Sequence, residues 1–195
     1  NMPSPPGKVC GGSILIDGKD ILLLGDKELR SSVRWTSISM VFQGAMNSLT
    51  PVYTVRELML ETWFAHLEAK PRNKAEREAE LARAMERIKT YLGHVSLPEH
   101  ILERYPHELS GGMKQRVVIA MALFLEPKVV IMDEPTTALD VIVQAQILNL
   151  IKDLKKRLGL SYIFITHDLA TEAEVADRIM VMYAGKVAEL GTNEQ

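Results

Sequence analysis

A layered α/β fold built on a parallel sheet is the reading that three features of this 195-residue chain impose. Two short apolar runs, Val129-Val130-Ile131-Met132 and Tyr162-Ile163-Phe164-Ile165, have the composition of strands covered on both faces, as parallel strands are. Segments of helical periodicity alternate with them. Glycine-containing turns at Gly18-Lys19 and Ala184-Gly185 sit between extended runs, which adds antiparallel hairpins. The apolar share of 47% and charged share of 25% exclude global disorder. A net charge of −2 lacks the basic excess of a nucleic-acid binder. The single cysteine, Cys10, cannot form an internal disulfide or a multi-cysteine metal site, which fits a reducing compartment. No apolar run approaches the roughly 20 residues needed to cross a bilayer.

The elements follow in order. Ser13 to Asp17 alternates, Gly18-Lys19 turns, and Ile21 to Leu24 returns as the partner strand of a hairpin. Asp26 to Arg34 is polar and reads as a short helix capped by Asp26. Ser37 to Phe42 is a second extended run. From Val55 to Leu109 the strand signals stop. Leu58, Trp63 and Leu67 fall on helical spacing, and Lys74 to Tyr91 is rich in Ala, Glu, Arg and Leu, with Gly93 as its predicted stop. Ser110 to Leu125 is helical up to Pro127, and Val141 to Leu158 is amphipathic through Val141, Ala145, Leu148, Ile151 and Leu154. Ile179 to Met182 and Lys186 to Glu189 form the terminal hairpin. Both ends read as cuts: Pro3-Ser4-Pro5-Pro6-Gly7 resembles an internal connector, and Gly191 to Gln195 stops in a turn.

Two places carry chemistry. Asp133-Glu134 follows an apolar strand directly, and adjacent acids there are costly to bury unless a cation or a substrate proton compensates them. Taken alone, Asp-Glu-Pro is equally a surface turn. In Leu109-Ser110-Gly111-Gly112-Met113-Lys114-Gln115-Arg116, a serine caps a helix and two glycines leave backbone amides open, an anion-binding arrangement that would equally serve as an ordinary helix start.

Their order decides between these readings. Gln43, Ser110-Gly111-Gly112, Asp133-Glu134, Ala138-Leu139-Asp140 and Thr166-His167-Asp168 follow one another in a string that resembles the nucleotide-binding subunit of an ABC transporter. Leu109 to Arg116 is similar to its signature motif, Val129 to Glu134 to its Walker B, Ala138 to Asp140 to its D-loop, Gln43 to its Q-loop and His167 to its switch histidine. The wording of Phe42 to Val52, of Asp133 to Val141 and of Val181 to Gly185 resembles the oligopeptide and dipeptide importer ATPases.

The resemblance implies the ABC-ATPase fold, a layered α/β core with a parallel sheet, antiparallel hairpins and a helical subdomain. It divides the chain into 1–53 (an incomplete N-terminal part of the core), 54–109 (the helical subdomain) and 110–195 (signature helix, Walker B and switch region). It implies ATP and Mg²⁺ as cofactors. Asp133, with Gln43, would serve the metal, Glu134 would be the general base, and His167 would contact the γ-phosphate. Ser110, Gly111, Gly112 and Gln115 would bind the nucleotide of the opposite subunit, with Asp140 crossing that interface. The implied partners are a second ATPase subunit, transmembrane permease subunits and, through them, an external substrate-binding protein, at the cytoplasmic face of the membrane and with no nucleic acid. The implied activity is ATP hydrolysis driving uptake of oligopeptides or dipeptides. Two alternatives are a non-transport ABC ATPase of DNA repair or chromosome structure, whose long coiled coils the 67 residues from Gln43 to Ser110 do not accommodate, and a catalytically dead regulatory module.

One departure is large. The phosphate loop, G-x-x-x-x-G-K followed by Ser or Thr, is absent: Gly7-Lys8, Gly18-Lys19 and Gly185-Lys186 are followed by Val9, Asp20 and Val187. By the resemblance this loop lies upstream, together with a strand and helix from the middle of the sheet. The expectations are weak ATP binding by the chain alone and exposed apolar surface with open strand edges. Met46, Leu49, Val52 and Tyr53 are expected to form a groove for a membrane partner. His66, His94, His100 and His107 lack ligand spacing.

Overall fold

The computed structural model describes residues 9–67 and 69–193; the connector reading of Pro3 to Gly7 and the last two residues lie outside them. The central sheet is parallel and three-stranded, in the order β3 (Ile38–Val41), β4 (Val129–Asp133), β5 (Ser161–Ile165). Two antiparallel hairpins accompany it, β1 (Leu15–Ile16) with β2 (Lys19–Asp20), and β6 (Arg178–Tyr183) with β7 (Lys186–Thr192). The second turns at Ala184 and Gly185, both at positive φ, as a two-residue hairpin connection requires.

The first hairpin is shorter than its apolar pattern suggests. Ile21–Leu23 is a 3₁₀ turn because the Asp20 carboxylate accepts from the Leu22 and Ile14 amides and caps it. The next helix is likewise reduced: α1 (Asp26–Glu28) runs into a π-helical turn at Leu29–Val33, and its cap position is Gly25, not Asp26.

Between residues 54 and 109 the described chain is helical, with α2 (Val55–Ala65), α3 (Lys74–His94) and 3₁₀ turns at Glu99–Glu103 and Pro106–Glu108. Thr54 and Glu57 form a capping box at the start of α2, and Asn73 caps α3. Gly93 does not stop α3. The helix continues to His94, and the left-handed residue that follows is Ser96.

Helix α4 (Gly111–Leu123) packs against α3 through a reciprocal pair of arginines. The Nε of Arg87, from α3, donates to the carbonyl of Phe124, the C-cap of α4. Arg116 Nη1, from α4, donates at 2.8 Å to the carbonyl of Val95, the C-cap of α3. The two anchor points are eight residues apart on each helix, about 12 Å, so the helices run antiparallel with matched register. Each cation sits where the other helix's terminal carbonyls gather negative charge. Arg87 also pairs with Glu126 at 2.7 Å and lies 5.9 Å from the Trp63 ring and 5.8 Å from the Tyr91 ring.

One hydrophobic core joins these parts. It contains Met59, Ile88 and Leu92 of α2 and α3, Ile119 and Leu123 of α4, Val41, Val130 and Met132 of the sheet, and Ile147, Ile151 and Leu154 of α5 (Val141–Leu158). The N-terminal end of α5 departs from the predicted face. Val141 is 80% exposed and Ala145 is exposed, and Val143 points inward there instead.

The sheet is covered unequally. Ser39, Val41, Val130 and Met132 are buried, with Tyr162 and Phe164 in register beside the last two. On the opposite face Ile131 is half-buried, while Ile163 and Ile165 of β5 are 52% and 45% exposed. The reading of Tyr162 to Ile165 as a strand covered on both faces is therefore corrected. Beyond β5, where the sheet ends, a cavity of about 600 Å³ is lined by Tyr162 to Thr166 and by Arg178, Ile179 and Met180 of β6, with α6 (Leu169–Val175) at one end. The expected exposed apolar surface lies here.

Candidate functional site

The ends of β4 and β5 bring the candidate residues together. Asp133 closes β4 in register with Ile165, and the Glu134 amide donates to the Ile165 carbonyl at 2.9 Å. This places Glu134 beside the Thr166-His167 turn. Glu134 has φ +46, a conformation rare for a residue with a side chain and seen where a site fixes the backbone.

Its carboxylate is the centre of the site. Gln43 Nε2 donates to Oε2 at 2.8 Å, Thr137 Oγ1 donates to the same oxygen at 2.9 Å, and His167 Nδ1 lies 3.0 Å from Oε1. Gln43 and His167 are 91 and 33 residues from Glu134 in sequence, so only the tertiary fold joins them. The His167 hydrogen bond first, and then that from Thr137, hold the Glu134 carboxyl below the usual glutamate range. The imidazole itself is open to solvent. Thus Gln43, Glu134 and His167 form one cluster, with Asp133 next to it in the chain. Thr137 was missed by the sequence reading, although it stands in the Asp133 to Val141 string that carries the resemblance.

A second group of motifs lies at the tips of two helices. Ser110 caps α4 by accepting from the Met113 amide at 3.3 Å, and Asp140 caps α5 by accepting from the Val143 amide at 2.9 Å. The two tips touch: a Cβ built on Gly111 would meet Leu139 at 3.4 Å and Met46 Sδ at 3.9 Å. Signature serine, D-loop and the turn after Gln43 are therefore neighbours. Gln115 differs from its group. It is 2% exposed, among the buried residues of α4 and not at the open tip.

The expected groove after Gln43 also needs correction. Met46 and Leu49 are buried core residues, whereas Val52 and Tyr53 are exposed. Of the histidines, His66 Nδ1 is bonded to the Thr62 carbonyl oxygen at 2.8 Å and His94 to Arg157 at 3.1 Å. Among the described residues no group of three His, Cys, Asp or Glu side chains could hold a metal ion. No helix among them is long and apolar enough to cross a membrane.

Known proteins resemble this chain in sequence and in fold. The model of the ABC transporter family matches residues 6–137. The oligopeptide transport ATP-binding protein OppD of Bacillus subtilis (strain 168) is 49% identical over 194 residues, covering 100% of this chain and 52% of that protein. The dipeptide transport ATP-binding protein DppD of the same organism is 47% identical, covering 99% of this chain and 55% of its own. The chain thus spans about half the length of these curated relatives. Among solved structures, cbiO1 from Clostridium perfringens, part of the ABC transporter complex cbiONQ, aligns with a TM-score of 0.75 at 32% identity, covering 95% of this chain and 67% of that one. A dimeric ATP-binding cassette in a post-hydrolysis state, bound to ADP and Pi, aligns with a TM-score of 0.71 at 31% identity, covering 94% and 74%.

Proposed function

The chain belongs to the ABC transporter family, and from that premise we propose that it is the signature- and Walker-B-bearing part of an ATPase that energises uptake of oligopeptides or dipeptides. The cluster of Gln43, Thr137 and His167 around the single carboxylate of Glu134 carries this reading. A general base must have its lone pair aimed and its side chain held, and three hydrogen bonds do both. Glu134 is the base for the attacking water, and His167 holds its orientation and contacts the γ-phosphate. The oxygen donors of Asp133 and Gln43 suit magnesium, a hard cation that prefers such ligands. That ion, when bound, neutralises developing phosphate charge. Ser110, Gly111 and Gly112 donate to the nucleotide of a second ATPase subunit, with Asp140 at the same interface, because the α4 tip is capped, amide-rich and beside the D-loop. Gln115, buried as it is, supports the tip from behind.

The phosphate loop must come from outside these 195 residues. The cavity between β5 and β6 offers the edge of β5 to receive the strand that would bear it. The helical region 54–109 is the subdomain that, with Val52 and Tyr53, faces a permease at the cytoplasmic side of the membrane, and an external substrate-binding protein acts through that permease. A DNA-repair role is not favoured, since the relatives are named for peptide transport and the described residues of 54–109 form helices of 11 and 21 residues joined by turns, with no long coiled coil among them. The test is ATP hydrolysis by the assembled importer containing this sequence. Glu134→Gln lowers kcat by about 10²-fold or more with KM little changed; undiminished turnover overturns the assignment. The 195-residue chain titrated alone shows no micromolar ATP affinity.

A further inference from the structure

Gly112 has no conformational need to be glycine, because its φ lies outside the left-handed region. Space is what it provides. A Cβ at this position would stand 2.8 Å from Val143 Cγ1, with Cγ2 and Cβ of the same valine at 3.8 and 3.9 Å. Real Cβ atoms do not approach so closely, and Val143 cannot yield easily. Its amide is fixed by the Asp140 carboxylate at 2.9 Å, and its neighbour Gln144 is tied through Nε2 to the Thr136 carbonyl at 3.1 Å. Its branched side chain is also stiff at χ1. One residue earlier, Gly111 makes room for Leu139 and Met46 in the same way, with looser spacing.

We infer that Val143 is a positioning residue, seated in the notch left by Gly112, which locks the first turn of α4 to the first turn of α5 so that signature and D-loop move as one piece. The glycine pair of the signature then has two duties, open amides on one side and a seat for α5 on the other. The second duty rests on the contacts alone. Its consequence for hydrolysis rests on the function proposed above.

The test is a compensating pair. In the assembled ATPase, Gly112→Ala lowers the thermal midpoint by several degrees through overpacking. Val143→Ala lowers it less, and the double variant regains at least half of the Gly112→Ala loss, with protection of the Gln144 and Ala145 amides returning in hydrogen exchange. If Gly112→Ala alone does not fold, folding of the pair is the expected result. A pair that melts at the sum of the two losses, or also fails to fold, overturns the inference. In the assembled ATPase, Val143→Ala, which leaves the signature intact, lowers kcat about tenfold at constant KM; unchanged kcat overturns the positioning role. Absence of hydrolysis in the unsubstituted assembly would refute the proposed function and leave the melting result standing.

Discussion

The helical side of the molecule and the β5–β6 side contain similar apolar residues and treat them in opposite ways. Around α2, α3 and α4, Met59, Ile88, Leu92, Ile119 and Phe124 are fully buried. At β5 and β6, Ile163, Ile165, Met180 and Met182 stand at or above two-fifths exposed. Both regions have strong local signals, so propensity does not separate them. Neighbours do. A helix buries its stripe against other helices close in sequence, whereas the parallel strand β5, and the face of the β6–β7 hairpin beside it, depend on partners brought from far away. The β5 edge is composed for a neighbour that the described residues do not supply.

The largest test of this contrast is truncation on each side. Phe124→Ala costs about 3–5 kcal/mol, the usual price of emptying a filled aromatic site, whereas Ile163→Ala stays below about 1 kcal/mol, as for a surface substitution. Urea unfolding measures both, and equal losses would break the comparison. The arginine ties come next. Arg87→Met or Arg116→Met each removes a charge-assisted bond to a buried helix end, worth roughly 1.5–3 kcal/mol, and the double variant loses less than the sum if the helices are held as a unit. Simple additivity would mean that the two ties act separately.

The smallest effect sharpens the helical side only. The Thr54 backbone amide, followed by its hydroxyl, holds Glu57 below the usual glutamate range, and the Tyr105 amide, followed by Arg104, does the same for Glu108. A depressed carboxyl contributes stability that is present above the unfolded value near 4.5 and is lost as pH falls through the lower folded one. Glu57→Gln with Glu108→Gln therefore flattens the decline of stability below that pH. An unaltered profile would assign the acid sensitivity elsewhere.

What the sequence made legible was local or ordered. Ser110 marks a helix start because capping is decided within a few residues, and α4, β4 and α5 fall close to their predicted positions. Motif order predicts that Gln43, Glu134 and His167 act at one place, and their hydrogen bonds bring them together there. Contacts that depend on shape were not legible. Thr137 has no periodicity to announce its bond to Glu134, Gln115 is polar yet buried, and Val143 matters because of a hydrogen atom on Gly112. Periodicity also says which face seeks cover and not whether cover is present, so the apolar run of β5 predicts an enclosed strand where one face stands open. Gly93 misled for a related reason: glycine is permitted at a helix end but does not compel one.

The paired arginines between α3 and α4 bear on how force would cross the molecule. Two ties about 12 Å apart prevent one rod from sliding along or pivoting about the other, so the helices behave as a braced beam. A push delivered near Trp63, whose ring lies under Arg87, would reach Ser110 at the far end as displacement instead of being absorbed by slippage on the way. Stiffness of that kind is what a mechanical linkage needs if a small movement at one end is to be felt at the other.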